Sequence, residues 1–311
     1  MIRKDISIII VSWNAKRFLL ECLKSIMADQ TSIKYEIIVV DNGSSDGSAE
    51  EVLEHFPEVT LIQNNFNIGF AKANNIGIRQ SQGRYACLVN SDIKILEGCF
   101  DRLVEYMDLH PSAGIAGPKL LWPDMTLQDS CRKFPSIWNN LCSYFWLNRV
   151  FPRSKLFSGE HMIYSPHDKI CKVDYLVGAF LMVRKEAVDQ VGLMDEQFFI
   201  YSEEVDWCKR FWKAGWEIIF LPDARVIHYG GGSSSNQPGR FSLEQQRAKL
   251  QYWRKHHGRL AQASVILITI IHHLLRIFFG AMIYMTRPVK RKQAGLQIEK
   301  SWCCIQRLFS S

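Results

Sequence analysis

Scarcities narrow this chain of 311 residues before any motif does. Its nine cysteines (22, 87, 99, 131, 142, 171, 208, 303 and 304) contain no C-x-x-C pair and lie mostly in apolar surroundings. That is the pattern of reduced core thiols, and it implies a reducing, cytosolic compartment. The first apolar run, in MIRKDISIIIVSWN, is too short for a signal h-region, and no small-residue cleavage site follows it. Nothing there directs the body out of the cytosol. No glycine occurs from Ile10 to Arg17, so the first strand does not open onto a glycine-rich phosphate loop. Internal repeats and low-complexity segments are also missing.

Acids are scarce in one place only. From Arg254 to Ser311 there are ten Lys and Arg against one acid, Glu299, while the first 253 residues carry 28 basic and 30 acidic residues. The net charge of +7 therefore belongs to the tail. Nucleic acid binding would call for a basic face on the folded body, so it is excluded as a partner; a basic tail beside an apolar helix fits anionic lipid.

What is present begins with hydrophobic content of 47%, ample for a packed core in one large domain or two small ones. Ile6 to Val11 and Ile37 to Val40 are nearly unbroken β-branched runs, the pattern of strands buried on both faces of a parallel sheet. Phe18, Leu19, Cys22, Leu23 and Ile26 recur between them at helical spacing, giving a strand, helix, strand unit. The alternation continues with a helix over 49–55, a strand over 59–62, a helix over 68–80 and a strand over 85–89. A helix over 99–109 and a short strand over 114–117 complete that half. An irregular aromatic and basic stretch is expected over 121–172, suited either to a membrane interface or lipid-bearing acceptor or to a packed aromatic insert. A strand over 173–183, a helix over 203–214, two strands over 218–221 and 225–227, and a helix over 243–256 follow. Ser264 to Met285 is apolar for about the length that crosses a bilayer core of roughly 30 Å. Thr269, His272, His273 and Arg276 interrupt it and share one helical face, so it reads as interfacial, spanning or packed.

Several polar residues stand at strand ends, where open α/β sheets bind ligands. Asp41, in VVDNGSSDGS, is placed to accept the imide N–H of uracil or thymine, while Asp46 suits an Asx-turn or the cap of the next helix. Ser12 and Asn14 end the first strand and could hold base and ribose, although Asn14 could equally be a cap. In NNFNIGFAKANNIGI, Asn67, Gly69 and Asn74 mark a turn into a helix whose free N–H groups could face ribose or phosphate. LVNSDI carries a metal hypothesis: Mg²⁺ or Mn²⁺ wants hard oxygen ligands and keeps several waters, so Asp92 plus a diphosphate can suffice, with Asn90 nearby. Glu203 and Glu204 open a helix with Asp206 close by, and like-charge crowding there raises a carboxyl pKa toward the range of a general base. His228 precedes Tyr229 and the run GGGSSS, an imidazole able to bind metal beside a flexible loop.

Taken in order, SIIIVSWN, VVDNGSSDGS, NIGFAKANNIGI, LVNSDI, VDYLVGAFLMVRKEAV, GLMDEQFFIYSEEVDWCKR and HYGGGSSS resemble the family 2 glycosyltransferases over residues 6–235. The resemblance implies a GT-A type nucleotide-diphosphosugar transferase fold, α/β and Rossmann-like with a mostly parallel central sheet. It implies Asp41 on the base, Asp92 on the metal, Glu204 as general base, and His228 as a further metal or diphosphate contact. Asp174 and the Gly178-Ala179 pair would line the acceptor side. Two positions depart from the family pattern: Asn90 replaces the first acid of the metal motif, and Glu204 stands where the family often has Asp. FPRSKLF and VDYLVGAF are similar to bacterial rhamnosyltransferases that use a dTDP-sugar on a lipid-linked acceptor.

The expectation is thus an inverting, metal-dependent hexosyltransferase with a nucleotide-diphosphate sugar donor and a lipid-linked or polysaccharide acceptor, active in cell-surface glycan synthesis. It would sit at the cytoplasmic face of the inner membrane, peripheral or monotopic, on an anionic surface. Residues 1–257 would be catalytic, with a nucleotide-sugar half over 1–120 and an acceptor half over 121–257; 258–311 would form the amphipathic helix and basic tail. The alternatives are a UDP-sugar donor or a catalytically silent sugar-binding subunit. A sugar-1-phosphate nucleotidyltransferase is disfavoured, because its glycine-rich loop is missing.

Overall fold

The computed structural model describes residues 4–151, 153–162, 167–232 and 237–308. Its elements in chain order are β1 (Ile6–Ser12), α1 (Lys16–Met27), β2 (Tyr35–Asp41), α2 (Ser48–His55), β3 (Thr60–Gln63), α3 (Phe70–Gln80), β4 (Tyr85–Asn90), β5 (Ile93–Ile95), α4 (Cys99–Leu109) and β6 (Ala113–Leu121). They continue with β7 (Leu127–Gln128), β8 (Cys131–Arg132), α5 (Ile137–Tyr144), α6 (Leu147–Val150), β9 (Cys171–Lys172), β10 (Tyr175–Leu176), β11 (Phe180–Arg184) and α7 (Lys185–Val191). Last come α8 (Glu203–Lys213), β12 (Glu217–His228), α9 (Pro238–Thr286) and α10 (Arg291–Leu308). Two units result: Met1–Phe134 with Ser165–Phe241, and Pro135–Tyr164 with Ser242–Ser311.

The first unit is the expected α/β fold. Its described residues form a ten-stranded sheet with the path β3-β2-β1-β4-β11-β6-β12-β5; β7 pairs β6, and β9 pairs β12. Pairings on both sides of β1 are parallel, Ile8 lying opposite Ile37 on one side and Cys87 on the other. β1 is buried at all seven positions, which explains why its sequence does not alternate. Ile6, Ile8 and Ile10 face a core shared with Leu19, Leu23 and Ile26 of α1 and Phe100, Leu103 and Met107 of α4. Burial of each such side chain contributes roughly 1.5–3 kcal/mol. Ile9 faces the other way, onto α3, where a Cβ on Gly77 would come within 2.4 Å of it. Chain order runs outward from β1 to β2 and β3, then returns through α3 to β4 on the opposite side. The sheet therefore has its switch point between β1 and β4, where a crevice opens beyond the strand ends.

Several boundaries move. The expected strand over 173–183 is broken into β10 and β11, and its middle, Val177 to Ala179, turns into the crevice. The two strands over 218–221 and 225–227 are one, β12, with a register shift between Leu221 and Arg225. β5 and α7 were too short to show a period. In the stretch expected to be irregular, β7, β8, α5 and α6 form.

In the second unit α9 is interrupted at Gly258 (φ 82°, ψ 177°). The Gln262 amide donates to the Leu250 carbonyl at 3.2 Å, although twelve residues of straight helix would separate them by about 18 Å. The arms before and after Gly258 therefore fold back on each other. On the second arm Thr269 and His272 are buried: Thr269 Oγ1 lies 3.1 Å from the Tyr144 hydroxyl, and His272 Nδ1 lies 2.7 Å from the Tyr144 carbonyl oxygen. Leu267, Ile271, Leu274, Leu275, Phe278 and Met282 lie on the opposite face and are exposed. Among the described residues this is the one helix long and apolar enough to cross a membrane.

Candidate active site

A cleft of about 260 Å³ opens at the switch point. Of the sequence-selected residues, Asn67, Asn90, Asp92, Glu203, Glu204 and His228 line it, with Gly178 and Ala179. They arrive from five segments: the turn before α3 (Asn67), the end of β4 (Asn90, Asp92), the turn between β10 and β11 (Gly178, Ala179), the start of α8 (Glu203, Glu204) and the end of β12 (His228).

Asp92 follows β4 and is buried. Its Oδ1 lies 3.3 Å from His228 Nε2, and its Oδ2 accepts the Gly232 N–H at 3.0 Å. Burial alone would raise its pKa; the His228 hydrogen bond, the His228 charge and the Gly232 N–H outweigh that and hold the carboxyl below its usual range. His228 ends β12, and its Nδ1 meets the Gln128 side-chain oxygen at 2.6 Å. With Nδ1 engaged by Gln128, Nε2 is the ring nitrogen that faces Asp92. Two electron-rich atoms at that distance need a proton or a cation between them. Gly232 is a close-approach position, since a Cβ there would sit 3.0 Å from Asp92 Cβ. Ser233 to Ser235 of the same motif lie outside the described residues.

Glu203 and Glu204 are delivered by a strained entry to α8. Tyr201 and Ser202 both have positive φ (69° and 62°), a conformation that costs about 1–3 kcal/mol each and clusters at functional sites. The segment before it is clasped to α3: the Phe70 N–H donates to the Phe199 carbonyl at 2.6 Å, and a Cβ on Gly69 would clash with that oxygen at 2.7 Å. Gly69 (φ 96°) thus makes room for the chain that carries the acids. Gly178 does the same for Glu204, whose Cβ would lie 3.3 Å from an added Cβ. Glu203 is buried with Oε2 lacking a hydrogen-bond partner among the described residues, and burial, then the Glu204 charge, pushes its carboxyl well above the usual range.

The structure does not bring every selected residue into the cleft. Asp206 lies two positions after Glu204, a rotation of about 200° around the helix, and it points inward. It is fully buried in an ion pair with Arg210 at 2.9 Å, and Arg210 also donates to the carbonyls of Val191 and Leu193. Asp174 accepts the Phe134 N–H at 2.8 Å and is not a cleft residue. Asn74 donates to the Phe70 carbonyl within α3. Asn14 (φ 48°) accepts the Ser45 N–H at 2.8 Å, tying two loops together rather than capping α1. Asp46 accepts the Ser48 N–H in an Asx-turn and also the Lys16 N–H, but it does not cap α2, whose N-cap is Gly47.

Three side-chain atoms at the carboxyl ends of adjacent strands are buried without a hydrogen-bond partner among the described residues: Ser12 Oγ on β1, Asp41 Oδ1 on β2 and Asn90 Oδ1 on β4. Asp41 Oδ2 is occupied by the Ser44 N–H at 3.1 Å. Buried polar atoms are nearly always paired in folded proteins, so these three leave acceptors open at the switch point; Asn90 lines the cleft, whereas Ser12 and Asp41 lie outside its lining.

Sequence reading missed Asn42, which lines the cleft, donates to Asn67 Oδ1 at 2.9 Å and accepts the Ile68 N–H. It also missed Gln128 and the aromatic wall of Trp13, Phe199, Tyr201 and Phe241. Asn42 adjoined a chosen residue, whereas Gln128 carries no local signal.

Comparison with known proteins agrees with this geometry. The model of the family described as "Glycosyl transferase family 2" matches residues 7–192. An N-acetylglucosaminyl-diphospho-decaprenol L-rhamnosyltransferase of Mycobacterium tuberculosis is 30% identical over 217 residues, covering 65% of this chain and 69% of that one. The dTDP-rhamnosyl transferase RfbF of Shigella flexneri is 27% identical over 288 residues, 88% of each chain. Among solved structures, the mannosyltransferase PcManGT of Pyrobaculum calidifontis, in complex with GDP-Man and Mn²⁺, superposes with a TM-score of 0.58 at 14% identity, covering 99% of this chain and 88% of that one. The chain belongs to glycosyl transferase family 2, is built on the GT-A type fold and is similar to bacterial rhamnosyltransferases.

Proposed function

We propose that this protein is a metal-assisted, inverting hexosyltransferase that moves rhamnose from a dTDP donor to a hydroxyl of a lipid-linked or polysaccharide acceptor in cell-surface glycan assembly. The observation that carries this reading is the convergence of Asp92, His228 and Glu204 on one cleft beyond β1 and β4. The names of the relatives support the finer terms, one specifying a diphospho-decaprenol acceptor and the other a dTDP-rhamnosyl donor.

Asp41 Oδ1 and Ser12 Oγ would hold the base, with the imide N–H filling the vacant acceptor on Asp41. The residues present suit a hard divalent ion. Asp92 Oδ1 and His228 Nε2, 3.3 Å apart, would hold the ion, with Asn90 Oδ1 an unused oxygen nearby in the cleft. Among the described residues no group of three or more His, Cys, Asp or Glu could hold a metal, so a diphosphate and water would complete the shell. Bound there, Mg²⁺ or Mn²⁺ supplies charge stabilisation to the departing nucleoside diphosphate.

Glu204 takes the proton of the acceptor hydroxyl, whose oxygen attacks the anomeric carbon on the face opposite the leaving diphosphate. An α-linked donor then gives a β-linked product. Burial, then the Glu204 charge, holds the Glu203 carboxyl above its usual range, so Glu203 keeps its proton to higher pH and is the poorer proton acceptor of the two as a base. Asp206 positions α8 by anchoring Arg210 to the loop before it. The exposed apolar face of α9 and the basic cluster Arg287, Lys290, Arg291 and Lys292 would hold the enzyme on the anionic cytoplasmic face of the inner membrane.

A panel of nucleotide sugars, screened for thermal stabilisation with Mg²⁺ or Mn²⁺, tests the donor term without needing an acceptor. dTDP-rhamnose should give the largest shift, and the shift should vanish with chelator. A larger shift with a UDP-sugar would replace the donor.

A further inference from the structure

Asn42 follows Asp41 at the end of β2, lines the cleft and is 2% exposed. Its side chain is saturated. Nδ2 donates to Asn67 Oδ1 at 2.9 Å and to the Gly69 carbonyl at 3.3 Å, while Oδ1 accepts from Asn64 Nδ2 and from the Ile68 N–H, each at 3.1 Å. A primary amide has two N–H donors and two lone pairs on its oxygen, so none is left for a ligand. A residue that borders the cleft and directs every hydrogen bond inward shapes the site without binding in it.

What Asn42 shapes is the turn into α3. Asn67 Oδ1 also accepts the Gly69 N–H at 3.0 Å, and a Cβ on Gly43 would fall 2.5 Å from Phe66 Cα, so the loop after β2 lies directly on this turn. The end of the turn grips the chain that leads to α8, where the Phe70 N–H donates to the Phe199 carbonyl at 2.6 Å. Farther along α3 the same chain is held again: Asn75 Nδ2 donates to the Met194 carbonyl at 2.9 Å, and Asn75 Oδ1 accepts the Met194 N–H at 3.0 Å. Between Phe199 and the two acids stand only Ile200 and the strained pair Tyr201 and Ser202. The turn therefore fixes the segment from which Glu204 projects, and Asn42 fixes the turn. Aspartate, of nearly the same shape, could not do this. It has no donor for Asn67 Oδ1 or the Gly69 carbonyl and would set a buried charge against both.

We propose that Asn42 is a positioning residue for Glu204, acting through the turn of Asn67 to Gly69 and its clasp on Phe199. The inference rests on the reading of Glu204 as the base and deepens it, because the strand end that carries Asp41 also sets the carboxylate that activates the acceptor.

Two measurements on the full-length protein test it. Hydrogen exchange needs no substrate. Asn42→Asp should speed exchange of the Phe70 and Asp206 amides, which are bonded to the Phe199 and Ser202 carbonyls, by about tenfold, and leave the β1 amides at the wild-type rate. Unchanged exchange at Phe70 and Asp206 overturns the inference. Turnover of dTDP-rhamnose with N-acetylglucosaminyl-diphospho-decaprenol then completes a double-mutant cycle with Glu204→Gln. Alone, Asn42→Asp should lower kcat about tenfold while KM for the sugar donor stays within about twofold. In the Glu204→Gln background it should cost less than about twofold, since the group it positions is already gone. Losses that multiply, as for a residue of purely structural role, overturn the inference, and so does a raised KM for the sugar donor at constant kcat. Full turnover by Glu204→Gln, with faster exchange in Asn42→Asp, rejects the base reading and keeps the positioning. If Asn42→Asp does not fold, Asn64→Ala, which removes one donor to Asn42 from a half-buried position, should show the same pattern at about threefold.

Discussion

The cleft of the first unit and the second arm of α9 solve opposite problems. Around β1 the apolar side chains are inside and the unsatisfied polar atoms crowd one edge, Ser12 Oγ, Asp41 Oδ1 and Asn90 Oδ1 in a row. On α9 the polar side chains are inside, against Tyr144, and the apolar ones are outside. Water accounts for the first arrangement and not for the second, since about 25 cal/mol per Å² of apolar surface is forfeited wherever such a face stays wet. The first region leaves polar acceptors open at a strand edge; the second presents an apolar face on a helix long enough to cross a membrane.

The sharpest break in that contrast lies at Glu204. Glu204→Gln should cut transfer by about 10²–10⁴-fold while donor binding, read as thermal stabilisation, survives. Turnover near the wild-type rate would move the base to another group, Glu203 first. Asp92→Ala should lower activity by about a hundredfold or more and abolish the response to added metal, measured by titrating Mg²⁺ into a chelated enzyme; a retained metal response would place the ion elsewhere.

On the α9 side, Leu274→Glu with Phe278→Glu should leave the melting temperature nearly unchanged, because both residues are already exposed. Vesicle partition should fall by about tenfold or more, at roughly 1.5–3 kcal/mol for each apolar side chain withdrawn from lipid. A protein that unfolds instead would show that this face is covered within the fold. The smallest effect is a pH dependence. Because the folded-state pKa of Glu203 is raised, the folded chain keeps a proton that the unfolded chain releases above about 4.5, so stability falls as pH climbs from there toward the folded value. Glu203→Gln removes that loss: its melting temperature should exceed wild type by a few degrees at pH 8 and match it at pH 4, by calorimetry across the range.

Much of the site was legible because strand ends announce themselves. Asp41, Asn90 and Asp92 each close an apolar run, and a run buried on both faces must end at the edge where ligands bind. Asp206 shows the limit. It shares the crowded acidic stretch with Glu203 and Glu204, yet helical rotation carries it to Arg210, a partner that spacing alone does not distinguish from a catalytic role. Asp174 fails in the same way, an acid in a motif that serves the Phe134 backbone.

From the residues in line came the α/β alternation, the carboxylates at the strand ends and the polar stripe of Thr269, His272, His273 and Arg276, because each is a periodic or terminal pattern set by backbone geometry over a few residues. Tertiary structure alone decided that His228 meets Asp92, that Gln128 orients His228, that Gly69 and Gly178 make room for the acids of α8, and that the polar stripe of α9 faces inward. Those outcomes depend on which surfaces of distant segments touch, a choice made by the packing of the whole chain and written in no single stretch of it.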